Sequence, residues 1–145
     1  MARGAPPSSS SSATNICGGL DGRRILVVDD AHDLCRLYQT VLEANGASVT
    51  ITTDGALGVE LACTGDFDLV LMDLEMPKLP GLLAARQMRE RGYNGMLIAL
   101  SGHSDEGHIS DARSAGYSDY LCKDVPPFQL AQLLATYLPT PNLPD

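Results

Sequence analysis

Asp66-Phe67-Asp68-Leu69-Val70-Leu71-Met72-Asp73-Leu74-Glu75-Met76-Pro77 is the stretch on which the fold turns. An apolar run from Phe67 to Met72, broken only by Asp68, stops at Asp73. The chain then enters a loop closed by Pro77, Pro80 and Gly81. A continuous apolar run of this length suits a strand covered on both faces, as in parallel sheets. In such sheets ligands sit beyond the carboxyl ends of the strands, so Asp73 stands where a site would be built. Taken alone, the simpler reading of Asp73 is a strand-end carboxylate that caps the next turn. The flanking segments decide between the two.

Upstream, Arg23-Arg24-Ile25-Leu26-Val27-Val28-Asp29-Asp30 places four aliphatics before two acids, a second buried strand. From His32 to Asn45, Leu34, Leu37, Tyr38, Val41 and Leu42 recur at helical spacing, and Asn45-Gly46 closes the helix. Val49 to Thr52 reads as a short β-branched strand. Asp54 then caps a helix that runs to Gly65. Downstream, a helix is predicted over 79–91, ended by Gly92, and a strand over 96–100, ended by Ser101-Gly102. A polar helix over 105–115 and a strand over 117–121 lead to Lys123, and Pro126-Pro127 opens a last helix that reaches Leu138. Strand and helix alternate five times, which predicts a parallel sheet with helices on both faces and right-handed crossovers.

The segment 1–20 contains Pro6-Pro7, a serine run and Gly18-Gly19, and reads as a flexible low-complexity leader. The folded domain is expected over 21–139, with 140–145 as a disordered tail. A chain of 145 residues has room for one domain with a proper core. The net charge is −8 and the lysines are Lys78 and Lys123 alone, so no basic run exists to neutralise several phosphates. Nucleic-acid binding by this domain is therefore not expected. The N-terminus carries no apolar signal core and nothing approaches a membrane span. Cys17, Cys35, Cys63 and Cys122 show no metal-ligand spacing and read as reduced structural thiols, which points to the cytoplasm. Arg86, Arg89 and Arg91 read as a solvated helix face, and Met72 and Met76 as packing.

The residues that end the strands change the reading of Asp73. One strand delivers Asp29 and Asp30, one Asp73, one Ser101 and one Lys123, and in a doubly wound sheet all these ends open on one edge. Three carboxylates brought together repel one another unless a cation joins them. Oxygen-only ligands suit Mg²⁺, which keeps its own waters and commonly shares a phosphate. Lys123 and Ser101 then supply a positive charge and a hydrogen-bond donor for an anionic group on Asp73. The parts suit phosphoryl transfer to a carboxylate, for which no base is needed.

These motifs together resemble the receiver domain of two-component response regulators over about residues 23–138. The resemblance rests on Ile25-Leu26-Val27-Val28-Asp29-Asp30, on Leu71 to Pro77 with Gly81, on Ala99-Leu100-Ser101-Gly102, and on Gly116 to Lys123. It implies the flavodoxin-like five-stranded sheet of order 2-1-3-4-5. It further implies that Asp73 is the phosphoacceptor, charged by a histidine kinase or histidine phosphotransfer protein. Asp30, Asp73 and the backbone carbonyl of Glu75 would ligate Mg²⁺ (Mn²⁺ as an alternative), with Asp29 acting through a water. Lys123 would pair with the phosphoryl group, Ser101 would move to hydrogen-bond it, and Tyr120 would swing inward. The surface formed by residues 105–138 would respond, by binding a downstream protein or by dimerisation. The resemblance implies no enzyme beyond self-catalysed phosphorylation and slow autodephosphorylation.

The departures from the family are local. Asp124 follows Lys123 where the family usually has proline, and it adds a negative charge with which Lys123 could pair. Glu75 and His103 occupy the two positions that tune phosphorylation lifetime in the family, and the sequence assigns no direction to either. Three rival readings remain. A haloacid-dehalogenase-type phosphohydrolase would need a second Asp where Glu75 stands. A flavodoxin-like FMN module would need a phosphate loop where Asp29-Asp30 stand. A degenerate receiver would bind protein without phosphorylation.

Overall fold

Five strands alternate with five helices in the computed structural model, which describes residues 19–76, 79–102 and 106–138. The strands are β1 (Arg24–Val28), β2 (Ser48–Thr52), β3 (Leu69–Asp73), β4 (Met96–Ser101) and β5 (Asp119–Cys122). The helices are α1 (His32–Ala44), α2 (Gly55–Thr64), α3 (Gly81–Glu90), α4 (Glu106–Ala115) and α5 (Pro127–Tyr137). All strand pairs are parallel and the sheet order is β2-β1-β3-β4-β5, the doubly wound order expected. Among the described residues no helix is long and apolar enough to cross a membrane.

The alternation of side chains along each central strand divides the core in two. Leu26, Val28, Val70, Met72, Leu97 and Ala99 face α2, α3 and α4, where Val59, Ala62, Ala84, Ala85, Met88 and Ala112 meet them. Ile25, Val27, Leu69, Leu71, Ile98 and Leu100 face α1 and α5, against Cys35, Tyr38, Leu42, Leu130 and Leu134. Both faces are covered, which is why the sequence shows unbroken apolar runs in place of apolar-polar alternation.

Element ends depart from the sequence expectation for identifiable reasons. Phe67 is buried in the core but precedes β3, which starts at Leu69, and the Arg24 guanidinium lies over its ring. Helix α3 starts at Gly81 and not at 79, since Pro80 is held at φ −57° and ψ 138°, an extended N-cap. A Cβ at Gly81 would lie 2.6 Å from Leu74 Cα and 2.8 Å from the Asp73 carbonyl oxygen, so only glycine lets this loop close on the end of β3. Tyr117 lies outside β5; its backbone N–H closes α4 on the Ala112 carbonyl, and its hydroxyl donates to the Gly81 carbonyl at 2.8 Å.

Leu20, one residue before the expected start of the domain, packs into its core. It is fully buried in the α1/α5 core, its N–H donates to the Asn45 carbonyl at 3.0 Å, and Gly22 N–H donates to Gly46. One apolar residue inside a polar, glycine-rich segment left no periodic signal.

Arg89 is a correction, because it is not a solvated residue. Its Nε donates to the Gly116 carbonyl, Nη1 to the carbonyls of Tyr93 and Gly95, and Nη2 to the Ser118 hydroxyl, at 2.9 to 3.3 Å. The guanidinium also lies over the Tyr93 ring, 5.6 Å from its centroid. Gly116, at φ 119°, leaves room for this side chain, since a Cβ there would lie 2.8 Å from Arg89 Cγ. Arg91, by contrast, makes an exposed ion pair with Glu60, of a kind that contributes little to stability. Arg89→Ala is expected to lose about 1–3 kcal/mol of unfolding free energy, because three partly buried carbonyls lose a charged donor. Urea denaturation checks this, and Arg89→Lys is expected to recover less than half of the loss, having one donor group where the fork supplied four contacts.

Candidate functional site

The registers bring the strand-end residues to one level. Val28 pairs with Met72, so Asp29 stands beside Asp73, and Ser101 pairs with Cys122, one residue before Lys123. Backbone hydrogen bonds carry the ladder past the strand ends, from Leu74 N–H to the Leu100 carbonyl and from Lys123 N–H to the Ser101 carbonyl. The Cys35 thiol donates to the Asp29 carbonyl from the first turns of α1 at 3.1 Å. Burial, then the negative charge of Asp29, pushes that thiol up to about 11, so it serves as a donor and not as a nucleophile.

Asp29, Asp73 and Ser101 are the buried polar residues at this edge, with Asp73 only 1% exposed, while Asp30 is open to solvent. Asp29 Oδ1 accepts from Ala31 N–H, and Asp73 Oδ1 accepts from Glu75 N–H at 3.0 Å. Lys123 Nζ reaches Asp73 Oδ1 at 3.1 Å and Asp29 Oδ2 at 3.3 Å. The first is a hydrogen-bonded ion pair. The second is a longer ion pair, and Asp29 Oδ2, like Asp73 Oδ2, has no well-aligned hydrogen-bond partner among the described residues.

Electrostatics follow from this geometry. Burial raises the Asp73 carboxyl above its ordinary value, and the neighbouring Asp29 adds to it, against the Glu75 amide and the Lys123 ammonium. Burial alone would lower Lys123, but its hydrogen bond to Asp73 and the charges of Asp29 and Asp73 outweigh that and raise it. Asp124 is exposed, and the ion pairs of Lys123 among the described residues go to Asp29 and Asp73, so the departure at this position does not draw the ammonium out of the site.

Asp29, Asp30 and Asp73 each offer a carboxylate oxygen within 4.8 Å of the others. Among the described residues, three negative charges face one ammonium, and two buried carboxylate oxygens lack a hydrogen-bond donor. An all-oxygen donor set with this charge deficit fits a hard divalent cation.

A scan of protein families matches residues 25–135 to the response regulator receiver domain. The chain is a receiver domain. The transcriptional regulatory protein DltR of Streptococcus agalactiae is 36% identical to it over 112 residues, which are 77% of this chain and 49% of that protein. The receiver thus spans about half the length of this curated relative. Two-component response regulator 24 of Arabidopsis thaliana is 31% identical over 111 residues, 76% of this chain and 78% of that protein. Among solved structures, the receiver domain of the histidine kinase CKI1 from Arabidopsis thaliana, complexed with Mg²⁺ and BeF₃⁻, superposes with a TM-score of 0.73 at 27% identity, covering 85% of this chain and 94% of that one.

Of the residues singled out by sequence, Asp29, Asp30, Asp73 and Lys123 converge on this acidic edge. Tyr120 lies half-buried against the core formed with α4. His103 lies outside the described residues. The sequence missed what the Glu75 side chain does. Its Oε2 accepts the Ser101 hydroxyl in a short hydrogen bond and its Oε1 accepts Gly102 N–H at 3.3 Å. Its place two residues after Asp73 was visible, but not the neighbouring strand end that it reaches.

A raised carboxyl means that the folded state holds the Asp73 proton more tightly than the unfolded chain. This group therefore favours folding fully below its unfolded value near 3.8, and that contribution is lost as pH rises through the folded value. Asp73→Asn, compared with wild type at neutral pH without divalent cations, is expected to unfold at higher urea. The gap is expected to shrink as pH is lowered toward the carboxylate range.

Proposed function

We propose that this receiver takes a phosphoryl group onto Asp73 from a histidine kinase or histidine phosphotransfer protein and thereby switches a protein-interaction surface. The observation that carries the reading is the buried Asp73 carboxylate, held at Oδ1 by Lys123 and the Glu75 amide while Oδ2, beside Asp29 and Asp30, has no hydrogen-bond partner among the described residues. One oxygen is fixed and the other is open to a new bond.

Asp30, Asp73 and the backbone carbonyl of Glu75 would hold Mg²⁺, or Mn²⁺ in its place, with Asp29 acting through a water. When bound, the cation offsets the negative charge that gathers on the transferring phosphoryl oxygens. Asp73 is the nucleophile. Its oxygen forms the O–P bond as the N–P bond of the donor phosphohistidine breaks, and the imidazole keeps the electron pair. A carboxylate requires no base for this, so positioning and charge stabilisation make up the protein's contribution. Lys123 remains beside Asp73 and meets the phosphoryl oxygens with its ammonium. Ser101 donates to the phosphoryl group in the switched state and Tyr120 turns inward, which couples the site to α4, β5 and α5, the proposed partner surface or dimer interface. The receiver is a signalling domain, and its own phosphorylation and slow dephosphorylation are the only reactions assigned to it.

Incubation with acetyl phosphate and Mg²⁺ is expected to add one phosphoryl group by intact mass. The adduct should need the cation, be removed by hydroxylamine and be absent from Asp73→Asn. A hydroxylamine-stable adduct overturns the reading. Lys123→Ala is expected to bind Mg²⁺ at least as tightly, with one positive charge fewer at the site, yet to phosphorylate on the order of 10²-fold more slowly, the usual loss for one preorganised donor.

A further inference from the structure

We propose that Glu75 is a latch that holds Ser101 away from the phosphoacceptor and sets how readily the receiver enters its phosphorylated state. The proposal rests on the assignment of Asp73 above and adds to it a direction for the Glu75 side chain.

Glu75 is placed by its own backbone. Its N–H donates to Asp73 Oδ1, which forms a tight turn at the end of β3 and sends the side chain across to the end of β4. There the carboxylate takes two donors at once, the Ser101 hydroxyl on Oε2 and Gly102 N–H on Oε1. The loop after β3 is thereby fastened to the loop after β4. The approach makes no demand on the side chain at position 102, since a Cβ there would stand in ordinary contact, 3.8 Å from Oε1.

Ser101 is fully buried, and a hydroxyl carries a single proton. While that proton is given to Glu75, it is not available to a phosphoryl oxygen on Asp73. The bond is charge-assisted, which places it among the stronger hydrogen bonds of a protein. A phosphoryl group on Asp73 adds negative charge beside the Glu75 carboxylate, and like charges at this range in a partly buried site repel. Glu75 therefore opposes the phosphorylated state twice, by occupying the Ser101 donor and by its own charge. Phosphorylation has to open the latch, and opening it frees Gly102 and the start of the segment that leads to α4. The backbone carbonyl of Glu75, assigned to the cation, is untouched by changes to the side chain, so the two roles of this residue are separable.

The test measures BeF₃⁻ binding with Mg²⁺, the rate of phosphorylation by acetyl phosphate, and the amide resonance of Gly102, for wild type, Glu75→Gln, Glu75→Ala, Ser101→Ala and the double variant Glu75→Ala/Ser101→Ala. Glu75→Ala is expected to bind BeF₃⁻ roughly tenfold more tightly than wild type. Glu75→Gln, which keeps the shape and an acceptor but loses the charge, is expected to fall between them. In the Ser101→Ala background the effect of Glu75→Ala is expected to shrink to the part due to charge alone, severalfold at most. The Gly102 amide of wild type is expected to move on BeF₃⁻ binding toward its position in unliganded Glu75→Ala. A Gly102 amide that stays in place when BeF₃⁻ binds overturns the latch, as does a full tenfold effect of Glu75→Ala in the absence of the Ser101 hydroxyl. Failure of wild type to gain a phosphoryl group on Asp73 overturns the phosphoacceptor assignment and the latch with it. A normal adduct with an unaltered Glu75→Ala overturns the latch alone.

Discussion

A single ammonium set between two buried carboxylates governs this molecule. Lys123 is the only lysine within the described residues, and it stands against Asp73 and Asp29, both almost wholly removed from water. Everything around it follows from keeping that group in place. The β4–β5 register delivers Lys123 next to Ser101, and the turn from Cys122 to Val125 keeps its stem at the sheet edge. Yet one positive charge does not neutralise three carboxylates. The edge is left deficient in cations by construction, which is a poor arrangement for stability and a suitable one for capturing a cation or a phosphoryl group.

Much of this was legible in the sequence because strands buried on both faces write themselves as apolar runs, and each run here ends in a chemically distinctive residue. Asp29, Asp73, Ser101 and Lys123 were found from that juxtaposition. Helix caps with a specific chemistry were equally readable, as with Asp54, whose side chain accepts from Ala56 and Leu57 N–H groups. Residues whose role comes from a distant partner were not readable. Arg89 has the composition of a surface residue, and only the approach of Gly116, Tyr93 and Gly95 makes it a clasp. Leu20 is apolar but isolated, and periodicity needs more than one residue. Glu75 was recognised by its position but not by its effect, which depends on the end of another strand.

The two sides of the sheet carry different burdens. The α1/α5 side is built from large aliphatics, with Leu20 and Leu138 closing its rim. The side facing α2, α3 and α4 relies on small residues, with Ala84, Ala85, Ala112 and Ala115 letting the helices approach closely. Small residues interlock less deeply than branched ones, so a helix packed through alanines has fewer steric obstacles to a shift.

The Arg89 clasp then has a mechanical consequence. It joins the residue just after α4 to the loop between α3 and β4, and Ser118 adds a link to β4 by accepting Leu97 N–H. All of these contacts lie at the edge of the sheet far from the acids. Helix α4 is thus pinned at its C-terminal end. A clasp at that end resists sliding of the helix along its axis more than it resists a turn about the clasp. Any displacement of α4 near the acids would then be read out as an angular sweep of its surface, with the guanidinium as the fulcrum.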